Sequence, residues 1–124
     1  NYLIHEAFNG NNITIFNQGK IFRDLIYITD VISGIKKIIT KGKSGELYWI
    51  SSSKKTWFYE LGNLLEKLTN SKINYIKTPT YTKKVDVGNF IVDNSKLKKL
   101  GWKPKISIEL GIQNTLDYFY TQKL

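Results

Sequence analysis

The stretch FNQGKIFRDLIYITDV, residues 16–31, is the one from which the organisation of the chain can be read. It contains Arg23, the single arginine in a chain whose other basic residues are all lysines. A planar guanidinium presents two parallel donors that match a carboxylate or phosphate edge, and a lysine ammonium does not reproduce that geometry. Arg23 is therefore a candidate anion contact. Position and composition alone favour the simpler alternative, a surface cation or a pair with neighbouring Asp24.

Composition places limits on the class of protein. The chain has 124 residues, which suits one domain with one modest core, and 14% of them are aromatic, which argues against disorder. It has no cysteine and one histidine, so no disulfide, no thiolate nucleophile and no metal site are expected. No apolar run is long enough to span a bilayer, and we expect a soluble, cytoplasmic protein with no membrane partner.

The net charge of +9 attracts anions such as nucleic acid, a nucleotide or an anionic lipid surface. The lysines, however, are spread over the whole chain as separate pairs and do not form one basic block. The charge thus leaves two alternatives open beside an enzyme, namely a basic nucleic-acid-binding module and a protein-interaction domain without a ligand.

Periodicity predicts strands and helices in the order α-β-β-α-β-α-β-loop-α-α. The strands are rich in β-branched and aromatic residues and are expected at Ile13–Phe16, Leu25–Ile28, Glu46–Ile50 and Ile73–Lys77. The helices are expected at Tyr2–Phe8, Val31–Ile39, Trp57–Leu68 and Ile108–Tyr120, and a short one, capped by Asp93 or Ser95, is expected to end at Leu100. This pattern predicts the α/β class, as a small mixed α+β domain with short strands and several helices that occupies residues 1–124.

Three further features refine the prediction. Asp30 is expected to cap the second helix, with Val31, Ile35, Ile38 and Ile39 as its inner face. Ser107 is expected to cap the last helix. The irregular stretch 78–88 is long for a compact domain, and such loops often carry function.

Together these segments resemble one family. Residues 13–31 are similar to its segment x-V-Y-G-x-G-x-x-x-R-D-F-x-Y-V-x-D-V, and residues 45–50, GELYWI, to its strand G-E-V-Y-N-I-G. Residues 93–104, DNSKLKKLGWKP, resemble D-x-S-K-x-x-x-x-L-G-W-x-P, and residues 107–112 resemble S-L-E-E-G-L. The family is that of the NAD-dependent nucleotide-sugar epimerases and dehydratases, the extended short-chain dehydrogenase/reductases, with UDP-glucose 4-epimerase-like and dTDP-glucose dehydratase-like members.

The resemblance covers only the C-terminal portion of such enzymes. It implies a chain that binds a nucleotide diphosphate-sugar, while the missing Rossmann half supplies NAD and the catalytic Tyr-x-x-x-Lys pair for oxidation of a sugar hydroxyl. The sequence has no G-x-x-G-x-x-G turn, and none of its tyrosines is followed four residues later by lysine. The chain alone is therefore expected to be catalytically inactive and to hold no cofactor.

The resemblance also implies roles for particular residues. Arg23 matches an arginine that contacts the diphosphate, and Phe16 matches an aromatic residue that packs against the pyrimidine. Asp86 matches an acid that accepts hydrogen bonds from the ribose hydroxyls. Lys83 stands where the family usually has a second arginine, so that contact keeps its charge and loses the bidentate geometry. From the residues alone, spacing favours a core aromatic at a strand end for Phe16, and the alternative for Asp86 is a solvated loop carboxylate.

Separation from a Rossmann half is also expected to affect association. We expect Glu46–Ile50 and Ile73–Lys77 to belong to the edge of that half's sheet and to stand unpaired without it. Unpaired edges favour self-association or strand exchange, so a homo-oligomer is a further prediction.

Overall fold

The computed structural model describes residues 2–80 and 88–122. In that part of the chain, helices and strands follow the predicted order. The helices are α1 (Tyr2–Phe8), α2 (Ile28–Lys41), α3 (Phe58–Leu68), α4 (Ser95–Lys99) and α5 (Ile108–Gln122). The strands are β1 (Ile13–Ile15), β2 (Phe22–Arg23), β3 (Thr56–Trp57) and β4 (Ile73–Tyr75). The predicted small mixed class of fold is confirmed.

The four strands form two separate pairs. β1 and β4 are parallel, with Ile13 opposite Ile73. β2 and β3 are antiparallel, with Phe22 opposite Trp57. The predicted strands at 13–16 and 73–77 are therefore confirmed in shorter form. The expectation that 73–77 stands unpaired is wrong for its first three residues, because β1 supplies their partner within this chain.

The strand predicted at Leu25–Ile28 is wrong. Residues 24–27 join no ladder, and α2 begins at Ile28, three residues earlier than expected. The helix starts there because the Tyr27 carbonyl accepts hydrogen bonds from the amides of Asp30 and Val31. Asp30 consequently lies inside the first turn and is not the cap that the sequence predicts.

The Asp30 carboxylate instead joins α2 to the segment before α5. It is buried, and its Oδ2 accepts hydrogen bonds from the amides of Lys105, at 3.0 Å, and Ile106, at 2.9 Å. A buried carboxylate is stable only when it is hydrogen-bonded in this way. The polar end of α2 is thus held against its own domain.

The inner face predicted for α2 is wrong at two of its four positions. Ile35 and Ile39 are exposed, whereas the residues that α2 buries are Asp30 and Gly34. The reason lies on the opposite side of the helix: a Cβ added at Gly34 would come within 3.0 Å of Ile50 Cγ2, so glycine permits residue 50 to approach closely. The polar and small face of α2 is therefore the one that contacts this domain.

The strand predicted at Glu46–Ile50 is also wrong, because no described segment lies beside it to form a ladder. Side chains hold this segment in place. The Tyr48 hydroxyl accepts a hydrogen bond from the Lys43 amide at 3.0 Å, and Glu46 forms an ion pair with Lys96. A high strand propensity without a partner backbone leaves an extended, unpaired segment.

The apolar core lies among α1, β1, α3 and α5. Its buried residues are Ala7, Ile13, Ile15, Leu61, Leu65, Ile112 and Leu116. The predicted helices α3 and α5 are confirmed, α3 beginning one residue later and α5 ending two residues later than expected. Within α3, a Cβ at Gly62 would lie 2.5 Å from the Tyr75 hydroxyl oxygen, so this glycine allows β4 to approach the helix.

Two side chains organise the C-terminal part of the chain. The N-cap position of α4 is occupied by Asn94, so the prediction that Asp93 or Ser95 caps this helix is wrong. The Asp93 carboxylate, one residue before the cap, accepts hydrogen bonds from the Ser95 amide and hydroxyl, at 2.8 and 2.9 Å. The Ser107 hydroxyl accepts a hydrogen bond from the Leu110 amide at 3.2 Å, and the predicted cap of α5 is confirmed.

Candidate functional site

The guanidinium of Arg23 has a defined orientation. It lies half-buried in β2, where Nη1 donates hydrogen bonds to the carbonyls of Phe22, at 2.9 Å, and Gly88, at 2.8 Å. Its Cζ stands 5.7 Å from the centroid of the Phe90 ring. The contacts with Gly88 and Phe90 come from a segment more than sixty residues away in sequence. They hold the guanidinium in one orientation, unlike that of a mobile surface cation.

The Asp24 carboxylate forms hydrogen bonds with two other segments of the chain. Its Oδ1 accepts hydrogen bonds from the amide and hydroxyl of Ser52, at 2.9 and 2.6 Å, and its Oδ2 accepts from the amides of Ser53, at 3.2 Å, and Val92, at 3.1 Å. No ion pair joins Asp24 to Arg23 in the described ranges, so the simpler expectation of such a pair is wrong. The structural role that remains for Asp24 is to hold the loops behind Arg23.

A network of hydroxyl groups also joins the segments that Asp24 binds, and we call this region the junction. The hydroxyls of Ser51 and Ser53 donate to the Val92 carbonyl at 3.0 and 2.7 Å, and the buried Asn94 donates through Nδ2 to the Ser51 carbonyl at 2.7 Å. The Phe22 amide donates to Asn89 Oδ1 at 2.9 Å. Residues 88–94 are therefore tied to both β2 and the serine loop.

Sequence reasoning did not find this junction. Asp24 follows Arg23 directly and three serines stand together at Ser51–Ser53, yet neither pattern indicates its partner. The missing information is the contact with Gly88 and Val92, which depends on the tertiary fold.

A left-handed turn separates β1 from β2. Asn17, Gln18 and Gly19 have φ values of 51°, 52° and 73°, a conformation that costs an L-residue other than glycine roughly 1–2 kcal/mol. Gly19 is required there for a second reason, because an added Cβ would lie 2.6 Å from the Tyr59 amide nitrogen. The strained turn is stabilised by the Gln18 amide, which donates to the Ile76 carbonyl at 3.2 Å.

Phe16 lies at the start of this turn and lines an apolar cavity of about 590 Å³. The remaining lining comes mainly from α1, β1 and the inner faces of α3 and α5, and includes Ile4, Phe58 and Ile112. Arg23 does not line that cavity. The structure thus places Phe16 and Arg23 at opposite ends of one short segment, with Arg23 outside the cavity that Phe16 lines.

A polar cleft of about 590 Å³ lies between the starts of α3 and α5. Its charged lining consists of Lys54, Lys55, Lys105, Glu60 and Glu109. The pKa of Glu109 is lowered, chiefly by a hydrogen bond from its own backbone amide, then by the Ser107 hydroxyl and by the charge of Lys54. The three lysines exceed the two glutamates by one charge, so the cleft is weakly cationic.

The two remaining predicted site residues, Lys83 and Asp86, lie outside the described residues. Their roles stay predictions from the sequence. What the structure provides is the position of Gly88 and Asn89, which immediately follow that stretch and are hydrogen-bonded to Arg23 and to the Phe22 amide.

Residues 2–80 and 88–122 lack two further features. No helix there is long and apolar enough to cross a membrane. No group of three or more histidine, aspartate or glutamate side chains in those ranges is arranged so that it would hold a metal ion.

The sequence and the fold both match known proteins. A profile of the family described as GDP-mannose 4,6 dehydratase matches residues 3–115. The dTDP-glucose 4,6-dehydratase of Escherichia coli is 27% identical over 124 residues, which cover 94% of this chain and 34% of that enzyme. The chain spans about a third, or less, of the length of the first curated relatives that it matches.

Solved structures agree with the sequence match. The crystal structure of UDP-glucose 4-epimerase with UDP-glucose from Thermotoga maritima superposes with a TM-score of 0.86 at 30% identity, covering 99% of this chain and 39% of that one. The dTDP-glucose 4,6-dehydratase from Bacillus anthracis in complex with NAD has a TM-score of 0.81 at 22% identity, covering 98% of this chain and 39% of that one. At that lower identity the second likeness shows the fold alone.

Proposed function

Since the chain belongs to the GDP-mannose 4,6-dehydratase family of NAD-dependent nucleotide-sugar epimerases and dehydratases, we propose that it is the part of such an enzyme that binds the nucleotide diphosphate-sugar. The relatives named above act on dTDP-glucose or UDP-glucose. The substrate class proposed for this chain is accordingly a nucleoside diphosphate joined to a hexose.

The orientation of Arg23 is the observation that carries this proposal. A diphosphate needs directional cationic donors, and a guanidinium that two carbonyls and an aromatic ring already hold loses little entropy when it binds one. Its neighbours at Gly88 and Asn89 follow directly on the stretch that contains Lys83 and Asp86. From the sequence we propose Lys83 as the second cation and Asp86 as the ribose acceptor of the same site.

Phe16 is proposed as the apolar face for the base. It lies at the edge of an apolar cavity, which supports packing against a planar ring, and the left-handed turn after it determines how far it stands from Arg23. The same position also fits a core aromatic, so Phe16 carries less of the proposal than Arg23.

The residues of this chain do not fit NAD. Dinucleotide sites place the pyrophosphate on a glycine-rich turn between a strand and a helix, and neither that turn nor a Tyr-x-x-x-Lys pair is present in the sequence. We therefore assign no step of hydride transfer to this chain. Its proposed contribution is to bind the substrate and orient it, and we predict no turnover by the chain alone.

The test uses the complete enzyme, assembled with its NAD-binding part. Loss of charge-assisted hydrogen bonds worth about 1.5–3 kcal/mol should raise the KM of Arg23→Ala for the nucleotide sugar roughly 10- to 150-fold. Arg23→Lys should fall between Arg23→Ala and the wild type. Lys20→Ala, at an exposed lysine three residues before Arg23, is the matched control and should leave KM unchanged. Unchanged KM and kcat in Arg23→Ala would refute the proposal.

The same variants separate this function from binding to nucleic acid. Affinity that comes from scattered lysines should fall steeply with salt and should not depend on Arg23. A nucleic-acid affinity that matches the substrate affinity at physiological salt, and that survives Arg23→Ala, would favour the basic binding module instead.

A further inference from the structure

Two segments that are far apart in sequence carry almost all of the net charge of the chain. Residues 36–46 and 96–105 contain one acidic residue, Glu46, and nine lysines, of which eight are exposed and Lys37 is half-buried. The net charge of these two segments is +8, whereas the rest of the chain has ten basic and nine acidic side chains, a net charge of +1. The lysines are Lys36, Lys37, Lys41, Lys43, Lys96, Lys98, Lys99, Lys103 and Lys105.

The fold brings these two segments together. Trp102 Nε1 donates a hydrogen bond to the Ser33 hydroxyl of α2 at 2.8 Å. Lys96 forms an ion pair with Glu46, and its Nζ stands 4.9 Å from the centroid of the Tyr48 ring. The second segment therefore lies against α2 and against the residues that follow it, and we call the exposed surface of the two segments the basic surface. In the sequence the same lysines stand apart, so only the fold shows this grouping.

Local interactions neutralise a minor part of this charge. Among the nine lysines, Lys96 is the one that forms an ion pair within the described part of the chain. Asp93 lies beside the basic surface, and because its charge interacts with those of Lys98 and Lys99 it offsets one further positive charge. A helix C-terminus carries about half a negative charge, so the ends of α2 and α4 together offset about one more. Roughly six positive charges remain on the basic surface.

The chemistry of the basic surface indicates what kind of anion it fits. The single arginine, Arg23, lies outside both segments, and their one aromatic residue, Trp102, is buried. Proteins that read base pairs or bind single strands of nucleic acid use arginine forks or exposed rings, and these two fully described segments offer neither. A lysine ammonium is a point charge that needs no fixed partner geometry. Such charges suit a broad anionic surface with mobile charged groups, which the headgroups of acidic phospholipids provide.

We propose that the basic surface attaches the protein reversibly, by charge and without insertion, to a membrane face that contains acidic phospholipids. The sequence-based expectation of no membrane partner rests on the lack of an apolar span, and attachment of this kind requires none. Arg23 and Phe16 lie outside both segments. The inference therefore goes beyond the proposed function and does not depend on it.

The experiment sediments the complete protein with vesicles of phosphatidylcholine alone, or of equal parts of phosphatidylcholine and phosphatidylserine. Binding is expected only to the second kind and should fall steeply with salt. Lys99→Gln combined with Lys103→Gln changes two exposed lysines of the basic surface and should weaken binding about thirtyfold, at about fivefold for each lysine. Lys67→Gln combined with Lys72→Gln removes the same charge from two exposed lysines outside the basic surface, and this matched control should bind like the wild type.

Three results would overturn the inference. The first is no sedimentation of the wild-type protein with the acidic vesicles. The second is an equal loss in both double variants, which would show that net charge acts without regard to position. The third is tighter binding to a DNA duplex than to the acidic vesicles, lost in the variant of Lys99 and Lys103, which would assign the basic surface to nucleic acid. No nucleotide sugar enters this assay, so its result is independent of the test of Arg23.

Discussion

The carboxylate of Asp24 and the amide of Val92 are 3.1 Å apart although 68 residues separate them in sequence. The same carboxylate accepts hydrogen bonds from Ser52 and Ser53. One side chain thus fixes two segments behind Arg23. The direction of the guanidinium consequently depends on a residue that does not touch it.

Asp24→Asn is expected to loosen this junction. The new amide group places donors against amide donors, and the free energy of unfolding should fall by about 1–3 kcal/mol. Hydrogen exchange at the Val92 amide should accelerate by tenfold or more. Asp117→Asn, at an exposed carboxylate on α5, is the control and should change neither quantity. Unaltered protection of Val92 in Asp24→Asn would contradict the role assigned to Asp24.

Two glycines with nearly the same φ allow the cost of backbone strain to be measured apart from the cost of a steric clash. Gly19 and Gly45 have φ values of +73° and +75°, yet a Cβ at Gly45 meets nothing within 4 Å while one at Gly19 meets the Tyr59 backbone. Gly45→Ala should cost about 1–2 kcal/mol, which is the backbone term alone. Gly19→Ala should cost clearly more, because α3 must also move. Urea denaturation of the two variants measures both, and equal costs would show that the contact with Tyr59 relaxes freely.

The hydrogen bond between Trp102 and Ser33 offers a test of packing between α2 and the C-terminal segment. Trp102 is buried, so Ser33→Ala leaves its indole N–H without an acceptor and should lower the free energy of unfolding by about 1–3 kcal/mol. Thr40→Ala removes an exposed hydroxyl that bonds only to carbonyls of its own helix and should have little effect. Thermal unfolding measures the stability of both variants. If Ser33→Ala lost no more stability than Thr40→Ala, a water molecule would have replaced the serine hydroxyl as the acceptor.

Asp93 is expected to make the stability of the fold depend on pH. Its pKa is lowered from the ordinary value of 3.8, first by the hydrogen bond from the Ser95 amide and then by the Ser95 hydroxyl. Since the folded pKa lies below the unfolded one, the stabilisation is complete above about pH 4 and is lost as the pH falls through the folded pKa. Asp93→Ala should therefore be less stable than the wild type at pH 6, and this difference in stability should become smaller towards pH 3. A gap in urea midpoints that stays constant over this range would exclude the charged hydrogen bond as its cause.

How far the sequence predicts this structure depends on which interactions decide each element. α3 and α5 follow from periodicity, because Leu61, Leu65, Ile112 and Leu116 are buried at the expected spacing. α2 also follows as a helix, but the buried side was predicted wrongly. Periodicity identifies an apolar face and does not show whether that face contacts this domain or another.

The strands illustrate the same limit. Glu46–Ile50 has the composition of a strand, and no described backbone pairs with it; β2 and β3 are two residues each, too short for a periodic signal. At the site, the sequence singled out Arg23 as an anion contact, and that role stays a prediction; the structure adds that its Nη1 donates to two carbonyls. The contacts of Asp24 depend on tertiary structure and could not be predicted from the sequence.

The pairing of β1 with β4 also has a consequence for how the chain is made. Ile13 finds its strand partner only at Ile73, and the carboxylate of Asp30 is satisfied only by amides at 105 and 106. Because synthesis proceeds from the N-terminus, β1 and the start of α2 emerge from the ribosome long before β4 and residues 105 and 106 do. Distant pairings close slowly, because the loop entropy is lost before the contact is gained. Until residues 73 and 105–106 have been synthesised, Ile13 and Asp30 therefore stay exposed to water without their native partners.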